Sequence, residues 1–311
     1  MKKALTAVVF ILLIVGVGGF YTQPELTQEA LGKQLFHEKI LSKDSTVSCA
    51  SCHKPEFAFA DTMAFSIGIG GKLTTRNTPS VLNMKNRPYY FWDGRAGTLE
   101  IQALMPISNP DEMGLPIAEA VERLNKNEYY RNQFLKVFNA LPDSLNLAAA
   151  LSAFEQTLET VDSKFDLWSY DEAKLSKSEE RGRQLFISER SRCFDCHSME
   201  DFTDDQFKNI GLYNGSTLTD KGRFNVTGDS ADLGKFKTPG LRNVGVTAPY
   251  MHNGMFKTLE EVIEYYDNPS AFVQGSINID PALQKPLGLT TREKRDLVAF
   301  LKTLTDRSHL K

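Results

Sequence analysis

All four cysteines of the 311-residue chain sit in two Cys-x-x-Cys pairs, and each pair runs straight into a histidine: Cys49-Ala50-Ser51-Cys52-His53 and Cys193-Phe194-Asp195-Cys196-His197. Two thiols at this spacing suit the two vinyl groups of a porphyrin. The histidine beside them is placed to turn its imidazole onto the iron as an axial ligand. The motifs therefore predict two covalently attached c-type haems, one on Cys49, Cys52 and His53 and the other on Cys193, Cys196 and His197. Paired cysteines have other uses. A four-cysteine zinc site would draw on both pairs without requiring a histidine after each. A redox dithiol would expect a βαβ context that the sequence lacks. No cysteine is left over for a structural disulfide.

The elements that must carry these motifs repeat. Gly32-Lys33-Gln34-Leu35-Phe36 returns as Gly182-Arg183-Gln184-Leu185-Phe186, each upstream of a cysteine pair. Thr78-Pro79 returns as Thr238-Pro239, Trp92-Asp93-Gly94 aligns with His252-Asn253-Gly254, and Thr98-Leu99-Glu100 with Thr258-Leu259-Glu260, at a constant offset of 160 residues. Ala153-Phe154 and Thr157-Leu158 return as Ala299-Phe300 and Thr303-Leu304. Ordered blocks of this kind mark an internal duplication. In each copy a helix leads to the Cys-x-x-Cys-His turn, a long Gly- and Pro-rich loop follows, and an apolar-periodic helix closes the unit. Leu297, Phe300, Leu301 and Leu304 form one stripe, and Leu147, Leu151, Phe154 and Leu158 another. Ser176 to Glu179 reads as a capping box that opens the second copy's first helix. With no long alternating strand pattern, the expected fold is all-α: two class I cytochrome c-like domains in tandem, loop-rich, each with one haem c. The boundary is expected near 162–172.

Hydrophobic residues make up 41% of the chain, enough for a packed core, which excludes wholesale disorder. The net charge of −3, with acids and bases well mixed, leaves no footprint for nucleic acid and no polybasic membrane patch. Lys2 and Lys3 precede an apolar run from Ala4 to Phe20, which reads as an export signal or an uncleaved N-terminal membrane anchor over residues 1–22. Either reading places the rest of the chain in the periplasm.

Several further motifs resemble the bacterial di-haem cytochrome c peroxidases and their MauG-like relatives over essentially the whole mature length. They are Arg76-Asn77-Thr78-Pro79-Ser80-Val81-Leu82-Asn83, Phe91-Trp92-Asp93-Gly94-Arg95, Pro106-Ile107-Ser108-Asn109-Pro110-Asp111-Glu112-Met113, and Thr238 to Asn243 running on to Ala248-Pro249-Tyr250-Met251-His252-Asn253-Gly254. The resemblance implies a peroxidatic N-terminal domain (23–165) whose haem meets hydrogen peroxide. It also implies a C-terminal electron-transfer domain (166–311) that receives electrons from a small periplasmic donor, a cytochrome c or a cupredoxin. By the same resemblance Glu112 supplies the acid–base carboxylate, Gln102 a hydrogen-bonding amide and Trp92 the indole between the two haems. Asn77, with the backbone oxygens of Thr247 and Pro249, matches the family's calcium site, whose hard oxygen ligands suit Ca2+. A homodimer is compatible with the family. His37 and His309 match no site motif and read as surface or packing residues.

The sequence departs from that pattern in three places. Many relatives carry an iron-blocking histidine on the loop Phe65-Ser66-Ile67-Gly68-Ile69-Gly70-Gly71; here Ile69 stands there and cannot ligate, so the first haem is expected to be five-coordinate and high-spin. Fourteen residues after His252, where ordinary peroxidases place a methionine ligand for the second iron, stands Tyr266. That is the MauG-like pattern, although Tyr265 or Tyr266 would also serve as a core aromatic, and Met251 or Met255 would also serve as ligand. Ser191 replaces the tryptophan that MauG-like maturases use, which weakens a maturase assignment. The leading expectation is a periplasmic peroxidase. The alternatives are a MauG-like oxidase of a protein or small organic substrate, and a non-enzymatic di-haem electron carrier.

Overall fold

The protein is described here by a computed structural model covering residues 26–198 and 200–308. The segment read as signal or anchor (1–22) and His309 lie outside the described residues. The first half contains α1 (Gln28–Phe36), the single turn α2 (Cys49–Cys52), α3 (Leu99–Ser108), α4 (Ile117–Lys126), α5 (Glu128–Phe138) and α6 (Ser144–Glu155). The second half contains α7 (Lys164–Ser169), α8 (Lys177–Phe186), α9 (Phe224–Thr227), α10 (Leu259–Asp267), α11 (Pro269–Phe272) and α12 (Thr291–Lys302). The one sheet among the described residues is an antiparallel ribbon of β1 (Phe207–Lys208) and β2 (Phe236–Lys237). No described helix is long and apolar enough to cross a membrane.

Two helix crossings organise the interior. α1 packs on α6 and α8 packs on α12, and at each crossing the repeated glycine lets the backbones touch. A Cβ on Gly32 would lie 1.8 Å from the Ala150 carbonyl oxygen, and one on Gly182 would lie 1.9 Å from that of Asp296. Leu31, Leu35 and Phe36 of α1 join Leu147, Leu151 and Phe154 of α6 in one apolar cluster, while Phe186, Leu297, Phe300 and Leu301 form a second. Leu158 and Leu304, expected on the closing helices, are buried just beyond their ends. The helix starts are set by local chemistry: Thr98 caps α3, Asp143 caps α6, and Ser176 closes the expected capping box with Glu179.

The duplication persists in backbone detail. Tyr90 pairs with Ala96 and Tyr250 with Phe256 in matching bridges, and their hydroxyls donate to the equivalent carbonyls of Met84 and Val244. Asn83 and Asn243 both adopt left-handed backbone, their amides donate to the carbonyls of Leu158 and Leu304, and both side chains meet Thr160. Asparagine tolerates that conformation better than most residues, which accounts for its recurrence there.

Two sequence expectations need correction. The loop after the first Cys-x-x-Cys-His turn is not continuous, because its latter part folds into α3, α4 and α5. A boundary at 165/166 would cut α7, which starts at a Ser163–Asp166 capping box. Phe165 of α7 packs edge-on against Phe202 (5.2 Å) and Phe300 (5.8 Å), so this helix goes whole with the second core.

Candidate active site

Each Cys-x-x-Cys-His motif forms a tight turn in which the histidine amide donates back to the first cysteine's carbonyl, 2.9 Å in both copies. His53 Nδ1 donates to the Phe59 carbonyl and His197 Nδ1 to that of Phe202, each at 3.0 Å. Burial lowers both imidazoles from their ordinary range, opposed first by those carbonyls and more weakly by Pro79 and Pro239. Both rings are thus kept neutral and oriented through Nδ1, the form in which Nε2 can ligate iron. The four cysteines are half-buried and form no disulfide. Burial pushes the Cys196 thiol up to about 11 and raises the other three.

The first half carries buried polar groups that the rest of the protein leaves unsatisfied. Among the described residues two buried side-chain oxygens lack a partner, Gln102 Oε1 and Glu155 Oε2. Burial alone pushes the Glu155 carboxyl up to about 8, so it is protonated at neutral pH, and its charge would act on Cys49 and Tyr90. Glu112 is also half-buried and lies close enough to influence both Cys49 and Cys52. Desolvation raises its carboxyl, opposed by the Arg95 guanidinium and by Asn109 Nδ2, which donates to Glu112 Oε1 at 2.9 Å. Paired thiols, an oriented imidazole and unpartnered buried oxygens fit a haem held on the Cys49–His53 motif.

Ile69 belongs to the neighbouring loop. Its side chain lies over Gly114, and its amide donates to the Glu112 carbonyl at 2.8 Å.

In the second half a cavity of about 280 Å³ is lined by Cys193, Cys196, His197, Met251 and Tyr266. Tyr265 is fully buried in a separate cluster, its hydroxyl donating to the Ile210 carbonyl. Met255 is exposed and turned toward Asn253. Adjacent residues of α10 point about 100° apart, which separates Tyr266 in the cavity from Tyr265 in the core. Ser191 is buried against the Leu185 carbonyl.

The same cavity reaches the junction between the halves, where Trp92, Asn77, Thr247 and Pro249 also line it. Trp92 Nε1 donates to the Asn77 carbonyl (2.8 Å), the Asn77 amide donates to the His252 carbonyl (2.7 Å), and the Trp92 and His252 rings meet edge to face at 6.5 Å. Trp92 and His252 are equivalent positions of the two repeats, so the copies touch through the same site.

The family described as di-haem cytochrome c peroxidase matches residues 27–174. The chain is 39% identical over 281 residues to the methylamine utilization protein MauG of Methylorubrum extorquens, covering 88% of this chain and 77% of that protein. It is 36% identical over 279 residues to the cytochrome c551 peroxidase of Nitrosomonas europaea, covering 88% and 79%. The chain belongs to the di-haem cytochrome c peroxidase family. A crystal structure of a MauG-like protein associated with microbial copper homeostasis superposes with a TM-score of 0.85 at 36% identity, covering 91% of each chain. Membership makes haem the cofactor, and relatives named as a peroxidase and as MauG each cover 88% of this chain.

Three features of this family member have little or no signal along the chain. Glu155 lies on the apolar stripe of α6, at i+4 from Leu151, and a charged residue on that stripe was the available signal. Arg76 bridges Asp93 (2.6 Å) and Asp220 (2.7 Å), tying the halves across 144 positions with nothing local to announce it. His252 is buried and stacked on Phe236 at 3.7 Å.

Burial lowers His252 from 6.5 to about 4, opposed by Asp220 and reinforced by Arg76. The unfolded chain therefore binds more protons than the folded one between those values, and stability falls as pH drops through that window by up to about 3 kcal/mol. Urea unfolding midpoints at pH 7 and pH 5 are expected to differ less in His252→Phe than in the natural chain. Equal differences would show that His252 is not the group responsible.

Proposed function

We propose that this chain is an exported, periplasmic di-haem peroxidase that reduces hydrogen peroxide to water with two electrons from a small redox protein, a cytochrome c or a cupredoxin. The observation that carries the reading is Glu112: a desolvated carboxyl beside the Cys49–Cys52–His53 turn, steered by Asn109 and by the charge of Arg95. Bound haem would supply the iron that accepts and passes electrons. Glu112 takes the proton from one peroxide oxygen and returns it to the other, which leaves as water; the donor's two electrons and two protons from solvent turn the remaining oxygen into a second water. The Gln102 amide, whose Oε1 is otherwise unpartnered, orients the peroxide. His53 and His197 would hold the two irons; Tyr266 lines the cavity with Cys193, Cys196 and His197, and Trp92 lies where the two halves meet. Asn77 with the Thr247 and Pro249 carbonyls would hold a calcium ion, since all three line the same cavity at the junction. The two haems sit on two cytochrome c-like units that meet ahead of α7.

Steady-state turnover of the purified holoprotein with peroxide and reduced cytochrome c tests this. Two cytochromes oxidised per peroxide are expected; no oxidation above that of free haem would sink the reading. Tyr266 favours a second reading, a MauG-like oxidase acting on a protein or small organic substrate, because a phenolate ligand favours ferric iron. Electron paramagnetic resonance of the ferric protein is expected to show a high-spin first haem, since Ile69 offers no ligand. A low-spin bis-histidine signal from that haem would overturn the expectation.

A further inference from the structure

We propose that the loop Ser66–Thr74 is a clamp that positions Glu112, with Gly68 and Ile69 as its contact points. The inference rests on the reading of Glu112 as the acid–base group. The turn Asn109–Gly114 is bonded on its inner side to the end of α3, through Met113 N–H to Pro106 O (3.2 Å) and Leu115 N–H to Ile107 O (2.7 Å), and through Lys43 N–H to Met113 O (2.8 Å). Its outer side is covered by the loop. Ile69 N–H donates to Glu112 O at 2.8 Å, and the Ile69 side chain occupies the notch left by Gly114, where a Cβ would come within 2.3 Å of Ile69 Cδ1. Gly68 lies so near that a Cβ there would be 2.1 Å from Asp111 O and 2.7 Å from Glu112 O.

The loop itself is closed at its base by Thr74 N–H to Ser66 O (2.9 Å) and anchored by Ser66 Oγ to Asp61 (2.6 Å). At its far side Lys72 Nζ reaches Pro110 O at 3.0 Å. At the tip, Gly70 and Gly71 have open space where a side chain would stand, and the Gly70 backbone bonds to the Asp44 carboxylate. A loop held at its base and fitted this closely along the edge that meets Asp111, Glu112 and Gly114 is placed to hold the Glu112 turn. The charged groups around Glu112 are Arg95, Asp111 and the Lys72 that pairs with Asp111.

Three variants of the holoprotein separate this from simple packing. Ile69→Ala empties the notch, Gly68→Ala wedges the loop off the turn, and Ile69→Val keeps most of the contact. Two readouts are taken: amide hydrogen exchange across 107–116, and the peroxide reaction rate as a function of pH. Ile69→Ala and Gly68→Ala are expected to raise exchange in that segment about tenfold. They should slow the peroxide reaction by about tenfold or more, as misplacement of a catalytic group does. The acid limb of the rate should also move to lower pH as Glu112 regains water, while Ile69→Val stays near the natural chain on all three. The proposal is overturned if exchange is unchanged in both disruptive variants. It is equally overturned if exchange rises while the rate and its acid limb stay natural in a protein that Glu112→Gln inactivates. Should Glu112→Gln itself leave the rate intact, the reading of Glu112 fails, and the positioning claim falls with it even where the exchange result stands.

Discussion

Glu112→Gln lowers peroxide turnover by about a thousandfold, within the range expected when a general acid–base group is removed, and leaves both haems attached. The amide keeps the size and the Asn109 contact of the natural side chain but cannot carry a proton between the peroxide oxygens. Desolvation raises the carboxyl and Arg95 opposes the shift, so the group titrates above an ordinary glutamate. Acting first as a base, it must begin ionised. Turnover of the natural protein is therefore expected to fall as pH drops through the raised value, and the residual activity of Glu112→Gln should lack that acid limb. Stopped-flow rates between pH 4 and 8, with the haem spectrum recorded in parallel, check both points. A variant with natural turnover would remove Glu112 from the chemistry.

Gly32→Ala and Gly182→Ala carry the largest expected effect on stability, about 3 kcal/mol each, at the upper end of overpacking penalties. The added methyl would meet a backbone carbonyl of the facing helix, at 1.8 Å in one crossing and 1.9 Å in the other. A backbone oxygen cannot rotate away as a side chain does, so α6 or α12 must move bodily and the packing along it is lost. Urea unfolding of each holoprotein variant measures the loss, and a midpoint indistinguishable from the natural chain would mean the crossings are looser than described. Because the same glycine serves both crossings, the two variants are expected to behave alike, which is the energetic counterpart of the sequence repeat.

Features that depend on neighbours along the chain are legible in the residues alone. Both Cys-x-x-Cys-His motifs, the duplication, the helix caps and the two buried stripes are set by spacing within a few residues or by a fixed offset between copies. The resemblance then singled out Glu112 and Tyr266, and the structure places the first beside the Cys49–His53 turn and the second in the cavity with Cys193, Cys196 and His197. Features that depend on distant segments converging emerge with the folded chain. The Arg76–Asp220 bridge, the meeting of Trp92 with His252, and the seat of Ile69 over Gly114 join residues whose separation in sequence carries no periodic signal. Glu155 shows where the two kinds of information meet. Its place on the stripe of α6 is visible in the chain, but whether a carboxyl there is paired or left unpartnered depends on what other helices bring to it. The structure leaves one oxygen unbonded and the group protonated beside Cys49. Local spacing fixes which residues share a face; burial, and with it the chemistry of a charged group, is set by the segments that pack over that face.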